Sequence, residues 1–224
     1  MAKSWFRAEH QPDATAVYIY DEIGMFGVTA KMFQRALADN GASEKSTPLD
    51  VFINSPGGDV FTGIAIHNIL SRYDRVRVHV DGLAASIASV IAMAGQEIIM
   101  PENAMMMIHN PWGVVAGDAD ELRGTADVLE KVQSQIAGIY AAKTGRSVDQ
   151  CLADMNAETW LTGAEAVELG YADSLSRAVP LNACCDLSKF KNFPEKVRNA
   201  FTGKQADAGL IAALTSISNH LKTL

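Results

Sequence analysis

"VDGLAASIASVIAMAG", residues 80–95, is the stretch on which the reading of this chain turns. It passes from a β-branched run into small residues, holds two serines and carries no charge after Asp81. A strand that turns through Gly82 into a small-residue helix places Ser86 at that helix's N-terminus, where backbone N–H groups lack intrahelical partners. Taken alone, a serine there more often caps a helix than attacks a substrate. Whether Ser86 is a nucleophile depends on a base, an orienting acid and oxyanion donors elsewhere in the chain.

Upstream, "TAVYIYD" (15–21) and "LDVFIN" (49–54) are β-branched and aromatic runs of strand length. Between them "VTAKMFQRALADNG" has helical spacing at Met32, Phe33 and Leu37, and Asn40-Gly41 is a natural stop. "VFTGIAIHNILSRY" (60–73) reads as a second helix, "VRVHV" (76–80) as the strand entering the opening stretch. Strands at "EIIM" and "AMMMIH" follow. Strand and helix alternate, which predicts an α/β fold with a mostly parallel sheet and right-handed crossovers.

From Asp118 the pattern changes. Residues 118–145 run without a break from an Asp118/Glu121 start to Gly145, about 40 Å of helix at 1.5 Å per residue. Leu122, Leu129 and Ile136 repeat at seven, as do Thr125, Val132 and Ile139, a narrow coiled-coil type of seam. Such a helix is too long to bury on one small domain, so it predicts a projecting arm packed against another subunit. The alternative is a helix laid across its own sheet. Two short helices with capping boxes follow, at Ser147/Gln150 and Thr162/Glu165, and "YADSL" reads as a last strand. The domain is expected over residues 1–180, with 181–224 a separable tail ending in the helical pattern "LIAALTSISNHLKTL".

Bulk properties exclude several functions. A net charge of -7, with no Lys/Arg cluster, argues against a nucleic-acid partner. "SIASVIAMAG", the longest apolar run, is too short to cross a bilayer, and the start has no signal-peptide core. A cytoplasmic protein is the expectation. Cys151, Cys184 and Cys185 fit neither a disulfide framework nor a metal site, so reduced thiols, no metal and no cofactor are expected.

The remaining parts of a nucleophile's machinery are present as candidates. His109 ends "AMMMIH" before the turn "NPWG", at the carboxyl end of a strand, where α/β sheets collect functional groups. His10, in an irregular start, His67, His79 and His220 are less well placed. "INSPGGD" (53–59) ends a strand in two glycines that let backbone N–H groups approach a ligand, although Pro-Gly-Gly also makes an ordinary turn. It is not a phosphate loop, because the Lys-Ser/Thr ending is missing. The Ile87 N–H is a donor beside Ser86. Ser89, one turn deeper, is a competing nucleophile. Candidate orienting acids are Asp154, Glu158 and Glu165, the last consumed by its capping box.

"INSPGG", "GLAASIAS", "MMMIHNPWG" and "ETWLTGAEAVELGYAD", in that order and with the long helix between the third and fourth, resemble the Clp protease proteolytic subunit family of serine peptidases. The resemblance runs from about Val17 to Leu175. It implies a crotonase/Clp-protease-like βα superhelix with a handle helix at 118–145 that joins two rings. It also implies Ser86 as nucleophile, His109 as general base, Glu158 as acid, and Gly58 and Ile87 as backbone oxyanion donors. The family usually has aspartate where Glu158 stands, and Asp154 is held as the alternative acid. Leu83 stands where housekeeping members often carry glutamine, and the tail has no counterpart. "SWFRAE", "AVYIYDEIG" and "INSPGGDVF" look most like the phage and prophage head-maturation branch. That implies a polypeptide substrate such as a capsid or scaffold protein, and a homo-oligomer for which an unfolding ATPase is optional.

Other readings are a housekeeping-type Clp peptidase with an ATPase partner, and an inactive ring-forming structural protein. A crotonase-type acyl-CoA enzyme has no use for a Ser–His pair, and no nucleotide motif is present. A Ser–Lys peptidase needs a lysine, and none lies between Ser86 and Lys131.

Overall fold

The computed structural model describes residues 6–178; the expected domain boundary at 180 and the tail lie outside the described residues. Eight strands form one sheet: β1 (Phe6–His10), β2 (Thr15–Ile19), β3 (Leu49–Ser55), β4 (Val76–Ala85), β5 (Glu97–Pro101), β6 (Met105–Ile108), β7 (Thr159–Thr162) and β8 (Ser174–Ser176). The helices are α1 (Ala30–Asp39), α2 (Val60–Leu70), α3 (Ile87–Ala92), α4 (Ala119–Thr144), α5 (Val148–Asn156) and α6 (Gly163–Glu168). The sheet order is β1-β2-β3-β4-β5-β8, and β6 branches off to pair with β4 and β7. The pairs from β2 through β5 to β8, and β4 with β6, are parallel, as strand–helix alternation predicts; β1–β2 and β6–β7 are antiparallel.

Two strands were not expected. The segment before residue 11 is β1, paired antiparallel with β2, so His10 ends a strand rather than lying in an irregular start. β7, whose "TWLT" is β-branched and aromatic, was hidden in the approach to a capping box. Each gains its identity from a partner distant in sequence, which local pattern does not reveal.

One sheet face packs against helices. Val17, Val51, Ile53 and Val78 meet Phe33 and Leu37 of α1 and Ile66 and Leu70 of α2 in the main core. The opposite face carries a cross-strand stack, Tyr18 on Phe52 at 4.7 Å and Phe52 on His79 at 4.6 Å, with the Arg7 guanidinium 4.1 Å above Tyr18. β4 runs through both environments and then delivers the chain into Ser86.

The long helix is capped as its sequence predicts: Asp118 and Glu121 form a capping box, and Gly145 closes it in the left-handed conformation at φ 70°. Its two halves differ. Val132, Ile136, Ala137 and Tyr140 are buried, whereas no residue of 119–131 is, and Leu122 and Val128 are 47% and 49% exposed. Only the second half of the expected seam therefore lies on its own domain. No helix among the described residues is long and apolar enough to cross a membrane.

Candidate active site

Residues 80–86 end β4, and a register shift prepares the turn. Ile53 pairs with Val80 but Ser55 pairs with Ala84, so β4 carries extra residues here. Asn54 fills the gap: its side-chain oxygen accepts from the Leu83 N–H at 3.1 Å. The chain then turns at Ser86 with φ 55° and ψ -129°, and α3 begins at Ile87. This is a sharp strand-to-helix turn of the kind that lifts a nucleophile out of a sheet.

β6 brings the histidine. Leu83, Ala84 and Ala85 pair in parallel with Met105, Met106 and Met107, and the Ser86 N–H donates to the Met107 carbonyl at 2.9 Å. His109, the residue after β6, then lies with its Nε2 2.8 Å from Ser86 Oγ. That is hydrogen-bonding distance between a hydroxyl and the ring nitrogen that would take its proton.

β7 brings the carboxylate. Its antiparallel register with β6 ends at Ile108 opposite Thr159. His109 is the residue that follows Ile108, and Glu158 the residue that precedes Thr159. Among the described residues, only Ser86 and Glu158 are non-glycine residues with positive φ, 55° and 49°. A side chain in that conformation costs about 1–3 kcal/mol and persists only where the surroundings enforce it.

The glycine turn packs directly on Ser86. A Cβ on Gly57 would come within 2.6 Å of the Ala85 carbonyl and 2.7 Å of Ser86 Cβ, and one on Gly58, at φ 147°, within 2.0 Å of the Ile23 carbonyl. The amides flanking Gly58 are committed, Gly57 N–H to Ser55 Oγ at 3.2 Å and Asp59 N–H to the Ile23 carbonyl at 2.8 Å. The Gly58 amide lies between them.

The competing residues have other partners. Ser89 is fully buried; its hydroxyl donates to the Ser86 carbonyl at 2.6 Å and meets the Tyr140 hydroxyl of α4 at 2.8 Å. Burial holds that Tyr140 hydroxyl far above the ordinary phenol range, so it stays protonated. Asp154 is paired with Arg146 and accepts from the Tyr171 hydroxyl at 3.0 Å. Glu165 accepts from the Thr162 N–H and hydroxyl, each at 2.8 Å, and these bonds lower its pKa. Sequence reading missed the clamp behind His109, in which Asn156 Oδ1 accepts from Asn110 at 2.8 Å and from Gln133 at 3.1 Å. Lone amides give no periodic pattern to notice.

A small recess opens beside the pair. Val60, Ile87, Val90, Pro111, Ile136 and Tyr140 line it with Ser86 and His109. Its walls hold no carboxylate, lysine or arginine.

The Clp protease family model matches residues 13–178. The chain belongs to the Clp protease family. An ATP-dependent Clp protease proteolytic subunit of Bacteroides fragilis is 32% identical over 151 residues, covering 66% of this chain and 72% of that protein. Proteolytic subunit 1 of Leifsonia xyli is also 32% identical, over 147 residues, covering 63% and 74%. The solved structure of a variant of ClpP1 from Listeria monocytogenes superposes with a TM-score of 0.64 at 28% identity, covering 72% of this chain and 91% of that one. The fold is thus the Clp-protease-like α/β fold, and the chain is a Clp-type proteolytic subunit, a serine peptidase by class.

Proposed function

We propose that this Clp-type subunit cleaves polypeptides through a Ser86–His109–Glu158 triad inside a homo-oligomeric chamber. The 2.8 Å contact between His109 Nε2 and Ser86 Oγ, at a serine held in strained backbone, carries the reading. His109 takes the hydroxyl proton as Ser86 attacks the peptide carbonyl. The oxyanion is held by the Gly58 and Ile87 N–H groups, the leaving amine takes the proton back, and water then releases the acyl-enzyme by the same route. Glu158 fixes the imidazole tautomer and balances its charge; Asp154, held by Arg146, is not free for that task.

The exposed half of α4 is the handle that joins two rings, with the active sites facing an enclosed space. Short peptides are therefore cut faster than folded proteins, and equal rates would contradict the enclosure. The location proposed is the cytoplasm. The branch proposed is that of phage and prophage head-maturation proteases, with a capsid or scaffold protein as substrate. This rests on the wording of residues 4–24 and 53–61. The names of the relatives favour a second reading, a subunit that works with an unfolding ATPase.

The test is light scattering on the eluting protein combined with an active-serine fluorophosphonate, on wild type and Ser86→Ala. A ring-sized species labelled in wild type and unlabelled in the variant is expected. A ring that never labels means an inactive structural assembly. Adding a Clp ATPase with ATP separates the two partner readings: degradation of a folded substrate only in its presence favours the second.

A further inference from the structure

Glu158 needs support. Its left-handed backbone is unfavourable for a side chain with a Cβ, and the nine-residue helix α5 precedes it. Asp154, in the last turn of α5, takes one of the two bonds that flank Glu158. The Thr159 hydroxyl donates to the Asp154 carbonyl at 2.8 Å, and the Glu158 N–H donates to Met155 at 3.2 Å. Glu158 is thus bracketed by a residue bonded to Asp154 on one side and by the end of α5 on the other.

The Asp154 side chain is anchored in turn. It pairs with Arg146, each side chain 20% exposed, and accepts from the Tyr171 hydroxyl at 3.0 Å; Arg146 also donates to that hydroxyl at 3.2 Å. Arg146 directly follows the α4 cap, and Tyr171, fully buried, follows α6. Three separate segments therefore meet at one carboxylate, a few residues before the candidate acid. A partly buried charged pair, with a further lone pair taken by a phenol, has a defined geometry.

We infer that Arg146, Asp154 and Tyr171 form a positioning cluster that holds Glu158 in its left-handed conformation against His109, and so tunes catalysis from outside the active site. The inference rests on the Ser86–His109–Glu158 reading above. Asp154 touches no reacting atom in this account; it acts through the turn that carries Glu158.

The test measures kcat and KM on a short fluorogenic peptide for wild type, Asp154→Asn, Glu158→Gln and the double variant, all as the full-length assembled protein. Asp154→Asn keeps the shape but loses the charge. It is expected to lower kcat about tenfold with KM within about twofold, and to change the Glu158→Gln enzyme less than about twofold. A structural role alone predicts equal losses in both backgrounds, and that result overturns the inference, as does an unchanged kcat in Asp154→Asn. Should Asp154→Asn fail to assemble, Tyr171→Phe serves in the same cycle: a two- to threefold loss of kcat that vanishes beside Glu158→Gln supports positioning, and one that persists overturns it. Arg146→Lys, which keeps the charge, is expected to retain more activity than Arg146→Ala. A wild type that neither labels nor cleaves overturns the peptidase reading, and the positioning role falls with it; labelling with additive losses overturns the positioning role alone.

Discussion

The nucleophile turn and the outer half of α4 lie in the same chain under opposite conditions. From Leu83 to Ala92 nearly every residue is buried, and each atom near Ser86 has a named neighbour: Gly57 behind it, Met107 on its amide, Ser89 on its carbonyl. From Ala119 to Lys131 none is buried, and Leu122 and Val128 stand half in water. The first region is complete within one subunit, whereas the second has an apolar seam that the described residues leave exposed or only partly covered. On the proposed reading, chemistry is built by the single fold and assembly is left to a surface that the fold only presents.

Substitutions in the two regions should therefore separate. Ser86→Ala is expected to reduce peptide cleavage at least about a thousandfold while leaving the mass by light scattering unchanged; a loss of assembly would mean that the turn also supports the interface. Leu122→Asp with Val128→Asp should do the reverse at the arm. The isolated domain should lose less than about 0.5 kcal/mol, since both side chains are half exposed, but the assembled mass should fall by half or more. An unchanged mass would show that α4 is not the joint.

Smaller effects test the link between the regions. Tyr140 is the one side chain of α4 bonded to the serine helix, through Ser89. Tyr140→Phe should cost about 1 kcal/mol, a fall in melting temperature of about 2–4 °C, with cleavage nearly kept. A large loss of kcat instead would mean that the arm controls the nucleophile directly. Smallest is Asp81, on β4 below the turn, whose carboxyl is bonded to the Tyr20 hydroxyl and pushed above its ordinary range, chiefly by burial. The folded chain then keeps that proton to higher pH than the unfolded chain does, so stability falls as pH rises out of the ordinary carboxylate range, near 4. Asp81→Asn should raise the melting temperature by about 1–2 °C at pH 7 and by less at pH 4. An equal gain at both would assign the effect to packing rather than to charge.

Much of this architecture was legible in order and period. Asn40-Gly41, the Asp118/Glu121 box and Gly145 mark helix ends because capping is satisfied within a few residues. Ser86 at a helix start and His109 at a strand end are positions that a βα alternation specifies locally. Glu158 was legible only by resemblance. β6, which His109 follows, and β7, which Glu158 precedes, pair antiparallel although they are some fifty residues apart. Asp154 looked equally suitable in sequence until Arg146 and Tyr171 took its carboxylate.

Sequence alone settled the βα order, the caps and the length of α4, because each depends on side chains bonding or packing within a turn or two of their own backbone. Only the tertiary structure decided which half of the α4 seam is buried, that Arg146 and Tyr171 take the Asp154 carboxylate, and that His109 lies against Ser86. Those depend on contacts between distant segments, and a periodic pattern records that a face is apolar without recording what lies against it.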